Sequence, residues 1–366
     1  MWLPKNCCST HHYALSLNGL FHREEDVAET GITGAGNFII DHLKTVDLWP
    51  DEGMLSLIQE ERMANGGCAY NVLKDLALLK TGIPLYAIGV TSRDADGAFI
   101  LDDLEKHSIN ASMMHVMENV MTSYTDVITV IKTGNRTFFH NKGTNKYVDI
   151  EHFDFSRIQS KIFHIGYILL LDTLDGPDPE YGTRMARLLK MAKDSGLKTS
   201  VDVVSESSYR FNKVVLPALG YTDYLIFNEI EAGRTTGYEI REKSGRLNPA
   251  NLKDTLRMLL DKGESELVCI HFPEGAYAAL KGQVPIFVPS HELPEDYIVG
   301  TAGAGDAFCA GMLYGIYEEW DLEKSMRFAN AMAGICLADI STSGSMKSLE
   351  ETLEFMVDMP LSKLAI

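Results

Sequence analysis

Apolar positions along the chain switch between two periods. In Gly66–Lys80 the apolar residues Val72, Leu73, Leu76, Ala77 and Leu79 recur at helical spacing. Asp96–His107 does the same with Phe99, Ile100, Leu101 and Leu104. Tyr181–Ser195 and Asn251–Lys262 read as helices ended by Gly196 and Gly263, and Gly303–Trp320 and Leu322–Ser341 as longer ones. Between them lie short apolar runs of strand length: Gly31–Ile40, Pro84–Gly89, Ile162–Leu171, Thr199–Val204, Tyr224–Asn228 and Leu267–His271. Strand and helix alternating in this rhythm predict a mostly parallel sheet with helices on both faces, an α/β chain in three layers. Two stretches break the rhythm. Thr125–Ile131 and Arg136–Asn141 form a β-like pair around the turn residues Lys132-Thr133-Gly134-Asn135, and Leu55–Glu61 is polar and β-like. They predict a small second sheet, from segments near 43–64 and 110–145, that covers a site as a lid.

Residues 1–29 differ from the rest. They are polar, with the cluster His22-Arg23-Glu24-Glu25-Asp26 and no apolar core that would make a secretory signal. They read as an N-terminal extension outside a core domain over 30–366. The 51 acidic residues against 33 basic ones leave a net charge of −18. With no Lys/Arg run, nucleic acid and anionic membrane are excluded as expected partners. An acidic protein can still bind a phosphorylated metabolite through backbone N–H groups and Mg²⁺. The six cysteines show no zinc spacing and no disulfide framework, which places the chain in a reducing cytoplasm. No apolar stretch approaches the ~18 residues of a membrane span.

The chemistry concentrates at Gly300-Thr301-Ala302-Gly303-Ala304-Gly305-Asp306, which runs into the apolar helix Ala307-Phe308-Cys309-Ala310-Gly311. Small residues let the backbone approach a ligand. Free N–H groups and the helix dipole there stabilise an anion. Asp306, in the first turn, can take a proton from a hydroxyl that attacks phosphorus. The bland alternative is a glycine-rich turn with Asp306 as a dipole partner. A second string, Gly66-Gly67-Cys68-Ala69-Tyr70-Asn71, starts a helix, and Asn228-Glu229-Ile230-Glu231 follows a strand. Gly36-Asn37-Phe38-Ile39-Ile40-Asp41 puts a carboxylate at a strand end, where it can accept two hydroxyl hydrogen bonds. Asn37 shaping a loop and Asp41 capping the next segment are the plainer readings.

In these strings the sequence resembles the PfkB (ribokinase-like) family of carbohydrate and nucleoside kinases. Thr301 to Phe308 match its signature Asp-Thr-x-Gly-Ala-Gly-Asp-x-Phe, with Gly300 in place of the first Asp. Gly66 to Asn71 match its Gly-Gly-x-x-x-Asn, Asn228 to Glu231 its Asn-x-x-Glu, and 134–145 its lid hairpin and following loop. The resemblance implies a ribokinase-like, Rossmann-like α/β/α sandwich with a β-sheet lid. It implies ATP-dependent phosphorylation of a sugar hydroxymethyl group, with a nucleoside acceptor, or a weak sugar- or nucleotide-sensing paralogue, as alternatives. Asp306 is then the general base, aided by Gly303, Ala304 and Gly305. Asp41, Asn37, Gly66, Gly67, Asn71 and Arg136 would hold the acceptor. Asn228, Glu231, Thr301, Gly303, Gly305, Gly275 and Asn330 would hold the nucleotide, and Glu231 and Asn228 Mg²⁺ through water. K⁺ is a further cofactor that the resemblance allows, and a homodimer through the lid a further partner. The family's Thr-x-Gly-x-x-Gly after the strand at 267 is His271-Phe272-Pro273-Glu274-Gly275 here. No Gly-x-x-x-x-Gly-Lys-[Ser/Thr] P-loop is present.

Overall fold

The computed structural model describes residues 30–206 and 210–363, so the expected extension over 1–29, with Cys7 and Cys8, lies outside the described residues. The chain opens with β1 (Ile32–Gly36), β2 (Ile39–Val46), β3 (Ile58–Gly66), α1 (Cys68–Leu78), β4 (Leu85–Ser92), α2 (Ala95–Lys106), β5 (Asn110–Met117), β6 (Tyr124–Val130) and β7 (Arg136–Asn141). Next come β8 (Ile162–Ile168), the two-residue strands β9 (Pro177–Asp178) and β10 (Gly182–Thr183), α3 (Arg184–Asp194), β11 (Lys198–Val203), α4 (Phe211–Leu219), β12 (Tyr224–Asn228), α5 (Glu229–Thr236) and α6 (Pro249–Lys262). The last third holds β13 (Leu267–Phe272), β14 (Gly275–Leu280), β15 (Ile286–Pro289), α7 (Ala304–Tyr317), α8 (Leu322–Cys336) and α9 (Leu349–Asp358).

Nine strands form one sheet in the order β15-β14-β13-β12-β11-β8-β1-β4-β5. Neighbours from β5 to β13 run parallel, and β14 and β15 add an antiparallel edge. Helices α3 to α6 pack their apolar faces on one side, and α1, α2, α7, α8 and α9 on the other, which gives the expected three layers. The alternation predicted from the sequence is therefore right in kind. Its helix ends are too long: the 322–341 helix stops at Cys336, and the 181–195 helix starts at Arg184, where the Thr183 side chain caps it. Helix α7 is apolar nearly all round because it lies between α1 and α8, so no polar stripe is needed.

Strands β3-β2-β6-β7 make the separate small sheet. Its segments correct the expected ones. Asn110–Met117 belongs to the large sheet as edge strand β5, and its half-exposed pattern is that of an edge. The small sheet instead begins at Ile39, only two residues after β1 ends. Arg136 is the first residue of β7, where the run Arg136–Asn141 is expected to begin. At the chain's other end, residues 359–363 return to the body. Glu292 N–H donates to the Pro360 carbonyl and Ser362 N–H to the Ser290 carbonyl, both at 2.8 Å.

Candidate active site

The C-terminal ends of the parallel strands face the first turn of α7, the usual position for a ligand crevice in an open α/β sheet. Gly303 caps α7 with φ +82, and a Cβ there would lie 2.7 Å from Thr342, so only glycine lets the chain turn into the helix at this point. Asp306 follows in the first turn and is buried. Asn71 Nδ2 donates to Asp306 Oδ2 at 2.6 Å, and the Tyr167 hydroxyl donates to Oδ1 at 3.2 Å. Asn71 is held in turn, because its Oδ1 accepts from Asn65 Nδ2 at 2.8 Å and lies 3.1 Å from Thr342 Oγ1. Burial raises the Asp306 pKa to about 6, and the Asn71 and Tyr167 hydrogen bonds limit the rise.

A cavity of about 260 Å³ opens beside Asp306, lined also by Gly303, Gly305, Asp202, Ser205, Asn228, Glu231, His271 and Cys309. Asn228 caps α5: its Oδ1 accepts the N–H groups of Ile230 and Glu231 at 2.9 Å, and Glu231 Oε2 accepts the Asn228 N–H at 3.0 Å. The Asn-x-x-Glu string is thus a reciprocal capping box, which fixes both side chains at the cavity wall. Ser205 Oγ donates to Glu231 Oε1 at 2.8 Å. Burial pushes Glu231 up to about 7, and burial with the charges of Glu231 and Asp306 pushes Asp202 well above the carboxylate range. No Lys or Arg is among the described residues lining this cavity.

A larger cavity of about 740 Å³ adjoins it, lined by Thr301, Ala304, Gly305, Asn330, Phe272, Phe308, Leu293 and Leu337 among others. Gly305 and His271 line both cavities. His271 stacks on Phe308 with ring centroids 4.7 Å apart, and burial lowers its pKa to about 4, so the imidazole is neutral. Asn330 Nδ2 donates to the carbonyls of Val288 and Pro289 at 3.3 and 3.1 Å, which ties α8 to β15 at the cavity edge.

Asp41 projects from β2, and a Cβ on Gly66 would lie 2.6–2.8 Å from its carboxylate atoms, so the bare glycine makes its seat. Gly67, at φ +86, then turns the chain into α1. Asp41 is pushed up to about 7 by burial and by Asp306, against the Thr125 hydrogen bond and the Arg136 charge. Arg136 reaches across to the body, where Nη2 donates to the Ile340 carbonyl at 3.3 Å. Any side chain at Gly300 would meet that guanidinium at 2.7 Å, so Gly300 and Arg136 fit each other.

Two of the expected site residues lie elsewhere. Asn37 is fully buried behind the wall, and its Oδ1 accepts the Tyr167 backbone N–H, so it positions the tyrosine that holds Asp306. Gly275 lines neither cavity; it starts β14 after a two-residue turn, with its backbone against Val288. Sequence reasoning also missed Asp202, Tyr167, Asn65 and Thr342. Asp202 alone carried a readable signal, as a carboxylate near the C-terminal end of a parallel strand next to the strand that ends in Asn228.

The sequence relatives are distant. The chain is 25% identical over 307 residues to an ATP-dependent ribose-1-phosphate kinase of Halopiger xanaduensis, covering 83% of this chain and 90% of that one. It is 22% identical over 294 residues to a 5-dehydro-2-deoxygluconokinase of Clostridium botulinum, covering 80% and 83%. The structure of Arabidopsis thaliana ribokinase complexed with ribose and ATP superposes with a TM-score of 0.71 at 19% identity, covering 92% of this chain and 99% of that one. The family model for pfkB family carbohydrate kinases matches residues 35–349, and with that match spanning both the Asp306 crevice and the small sheet, the chain belongs to this family of sugar-hydroxyl phosphotransferases.

Proposed function

We propose that the chain transfers the γ-phosphoryl group of ATP to a hydroxymethyl group of a sugar or sugar derivative. The observation that carries this is the placement of Asp306 beside Gly305, where the two cavities join. A carboxylate with a pKa near 6 is a better base than an ordinary Asp and is still mostly ionised at pH 7. Asn71 and Tyr167 hold it from both sides, so it meets the acceptor hydroxyl in one orientation. Backbone N–H groups at Gly303–Gly305 and the α7 dipole face charge that develops on the transferring phosphoryl. The large cavity suits the donor: apolar Phe272, Leu293 and Leu337 for a base, with the phosphates running toward Gly305.

Asp41 holds acceptor hydroxyls, and the small sheet that carries it acts as the lid that keeps water from the phosphoryl group. Arg136 fastens that sheet to the Ile340 backbone and supports the Asp41 charge. Asp202, Glu231 and Asp306 crowd one cavity without a cationic side chain among its described lining residues, and their mutual repulsion is what a divalent cation relieves. The residues therefore fit Mg²⁺, with Asp202, Glu231 and Asn228 holding it directly or through water. When bound, it neutralises the donor phosphates.

The sugar substrates in the names of the relatives favour a sugar over a nucleoside. The buried free thiols Cys68, Cys269, Cys309 and Cys336 suit a reducing cytoplasm. Met54, Leu55, Leu57, Phe138 and Phe139 are exposed on and beside the small sheet, and a second copy of the chain would cover them.

The test is ADP release with free sugars, sugar 1-phosphates, keto-deoxy sugar acids and nucleosides as acceptors. One sugar class should turn over with Mg²⁺ and not with the Asp306→Asn variant. A nucleoside as best acceptor would overturn the sugar assignment. Binding without ADP release for every acceptor would make the chain a sensor rather than a kinase.

A further inference from the structure

Three side chains that meet in the core behind the carboxylate cavity are not used together by phosphoryl transfer. Cys68 is the first residue of α1, His164 lies within β8, and Asp202 near the end of β11. A sulfur, an imidazole nitrogen and a carboxylate oxygen from these residues lie within 4.8 Å of one another. The sheet register explains the meeting. His164 pairs with Ser200 across β8 and β11, and Asp202 stands two residues further on. Cys68 packs over Gly166, where a Cβ would come within 2.4 Å of the sulfur, so the glycine lets the thiol reach the sheet.

His164 is fully buried, and its Nε2 has no hydrogen-bond partner among the described residues. Its Nδ1 lies 3.1 Å from Ser200 Oγ. A buried N–H without an acceptor is costly, so the favoured tautomer donates Nδ1–H to Ser200 and leaves a bare lone pair on Nε2. This is the arrangement that orients a metal-ligating histidine, with the second nitrogen tied to an outer acceptor.

We propose that Cys68, His164 and Asp202 bind a zinc-class divalent cation, and that Asp202 is shared between this site and the Mg²⁺ pocket. Sulfur, imidazole and carboxylate donors suit zinc, whereas Mg²⁺ takes oxygen ligands. Bonds of about 2.0–2.3 Å place tetrahedral ligands about 3.5 Å apart, so the cluster contracts by roughly 1 Å on binding. Binding releases the Cys68 thiol proton to solvent. Asp202 lines the open cavity, which gives the ion its entry and a water as fourth ligand. An ion held here draws Asp202 away from Mg²⁺, so turnover falls as zinc rises. Only this last effect rests on the proposed phosphoryl transfer.

The full chain, without nucleotide or acceptor, is titrated with Cd²⁺ and Co²⁺. The expected result is about one ion per chain, with a thiolate charge-transfer band and a tetrahedral cobalt spectrum. In Cys68→Ala the band should vanish, and in His164→Gln affinity should fall by ~10-fold or more. Binding unchanged in Cys68→Ala would place the ion elsewhere in the chain and overturn the site. If both variants misfold, the wild-type cobalt spectrum decides: an octahedral one without a thiolate band refutes the proposal. Zinc binding that leaves Mg²⁺-dependent turnover intact would overturn the sharing of Asp202. A Cys68-dependent band in a chain that phosphorylates nothing would keep the site and overturn the kinase reading instead.

Discussion

Replacing Gly66 by alanine separates the acceptor side from the donor side. The new methyl would stand 2.6–2.8 Å from the Asp41 carboxylate atoms, well inside ordinary contact. The carboxylate must then withdraw by about 0.7 Å to restore van der Waals separation. Such a shift takes it out of range of hydroxyl groups it would bond at ordinary donor–acceptor distances. Hydrogen bonds to a charged group contribute about 1.5–3 kcal/mol each, so losing one of average strength costs about 2 kcal/mol. That corresponds to about a 30-fold rise in acceptor Kd or KM. ADP affinity should stay within twofold, since residue 66 lines neither the larger cavity proposed for the donor nor the one beside Asp306. Calorimetry with the best acceptor and with ADP, run beside a melting curve, measures both. Acceptor affinity within threefold of wild type in a folded Gly66→Ala protein would remove Asp41 from the acceptor site.

Asp306→Asn should retain nucleotide affinity and lose ~10²-fold or more in kcat, the usual contribution of a positioned base. In the wild type, kcat should rise with pH through about 6 as Asp306 loses its proton, and a flat profile would refute its role as base. Glu231→Gln should raise the Mg²⁺ concentration needed for half-maximal rate without weakening acceptor binding; an unchanged requirement removes Glu231 from the metal site. Asp306, Asp41 and Glu231 titrate near 6, 7 and 7 when folded. Unfolded, each returns to about 4, so the native chain binds more protons in that window. Their contribution to stability is thus full below pH ~4 and is lost as pH rises through ~7. The Tm of the ligand-free protein should fall from pH 5 to 7.5 less steeply in Glu231→Gln than in wild type, and Mg²⁺ should raise Tm more at pH 7.5 than at pH 5. Equal slopes would contradict the raised Glu231 pKa.

What the sequence disclosed was local. Gly303 to Asp306 could be read because the small residues 302–305 run straight into a helix start, and Asn228 with Glu231 because the Asn-x-x-Glu string resembles a family motif; that it is also a capping box only the structure shows. Asp41 was legible as a carboxylate at the end of an apolar run. Asp202 offered only its place near a strand end and no motif spacing, and it was passed over; it meets Glu231 and Asp306 where β11, α5 and α7 converge. The order of residues did not tell that the Asn37 side chain is buried and accepts the Tyr167 backbone N–H. The β5 segment was assigned to the lid because an edge strand shows the same mixed polarity as a sheet with one open face. Gly275 looked like a phosphate glycine, although the hairpin between β13 and β14 is enough to require it.

The return of residues 359–363 to the body bears on when the protein becomes competent during its synthesis. Ser362 and Lys363 border the larger cavity, together with Ser290 and His291, against which that segment pairs. Both sheets, β1 to β15, are encoded before residue 290, and α7 with Asp306 before residue 318. A nascent chain can therefore form both sheets and α7 before the segment 359–363, which borders the larger cavity, has been made. That cavity gains its last described wall only when the segment docks against Ser290 and His291.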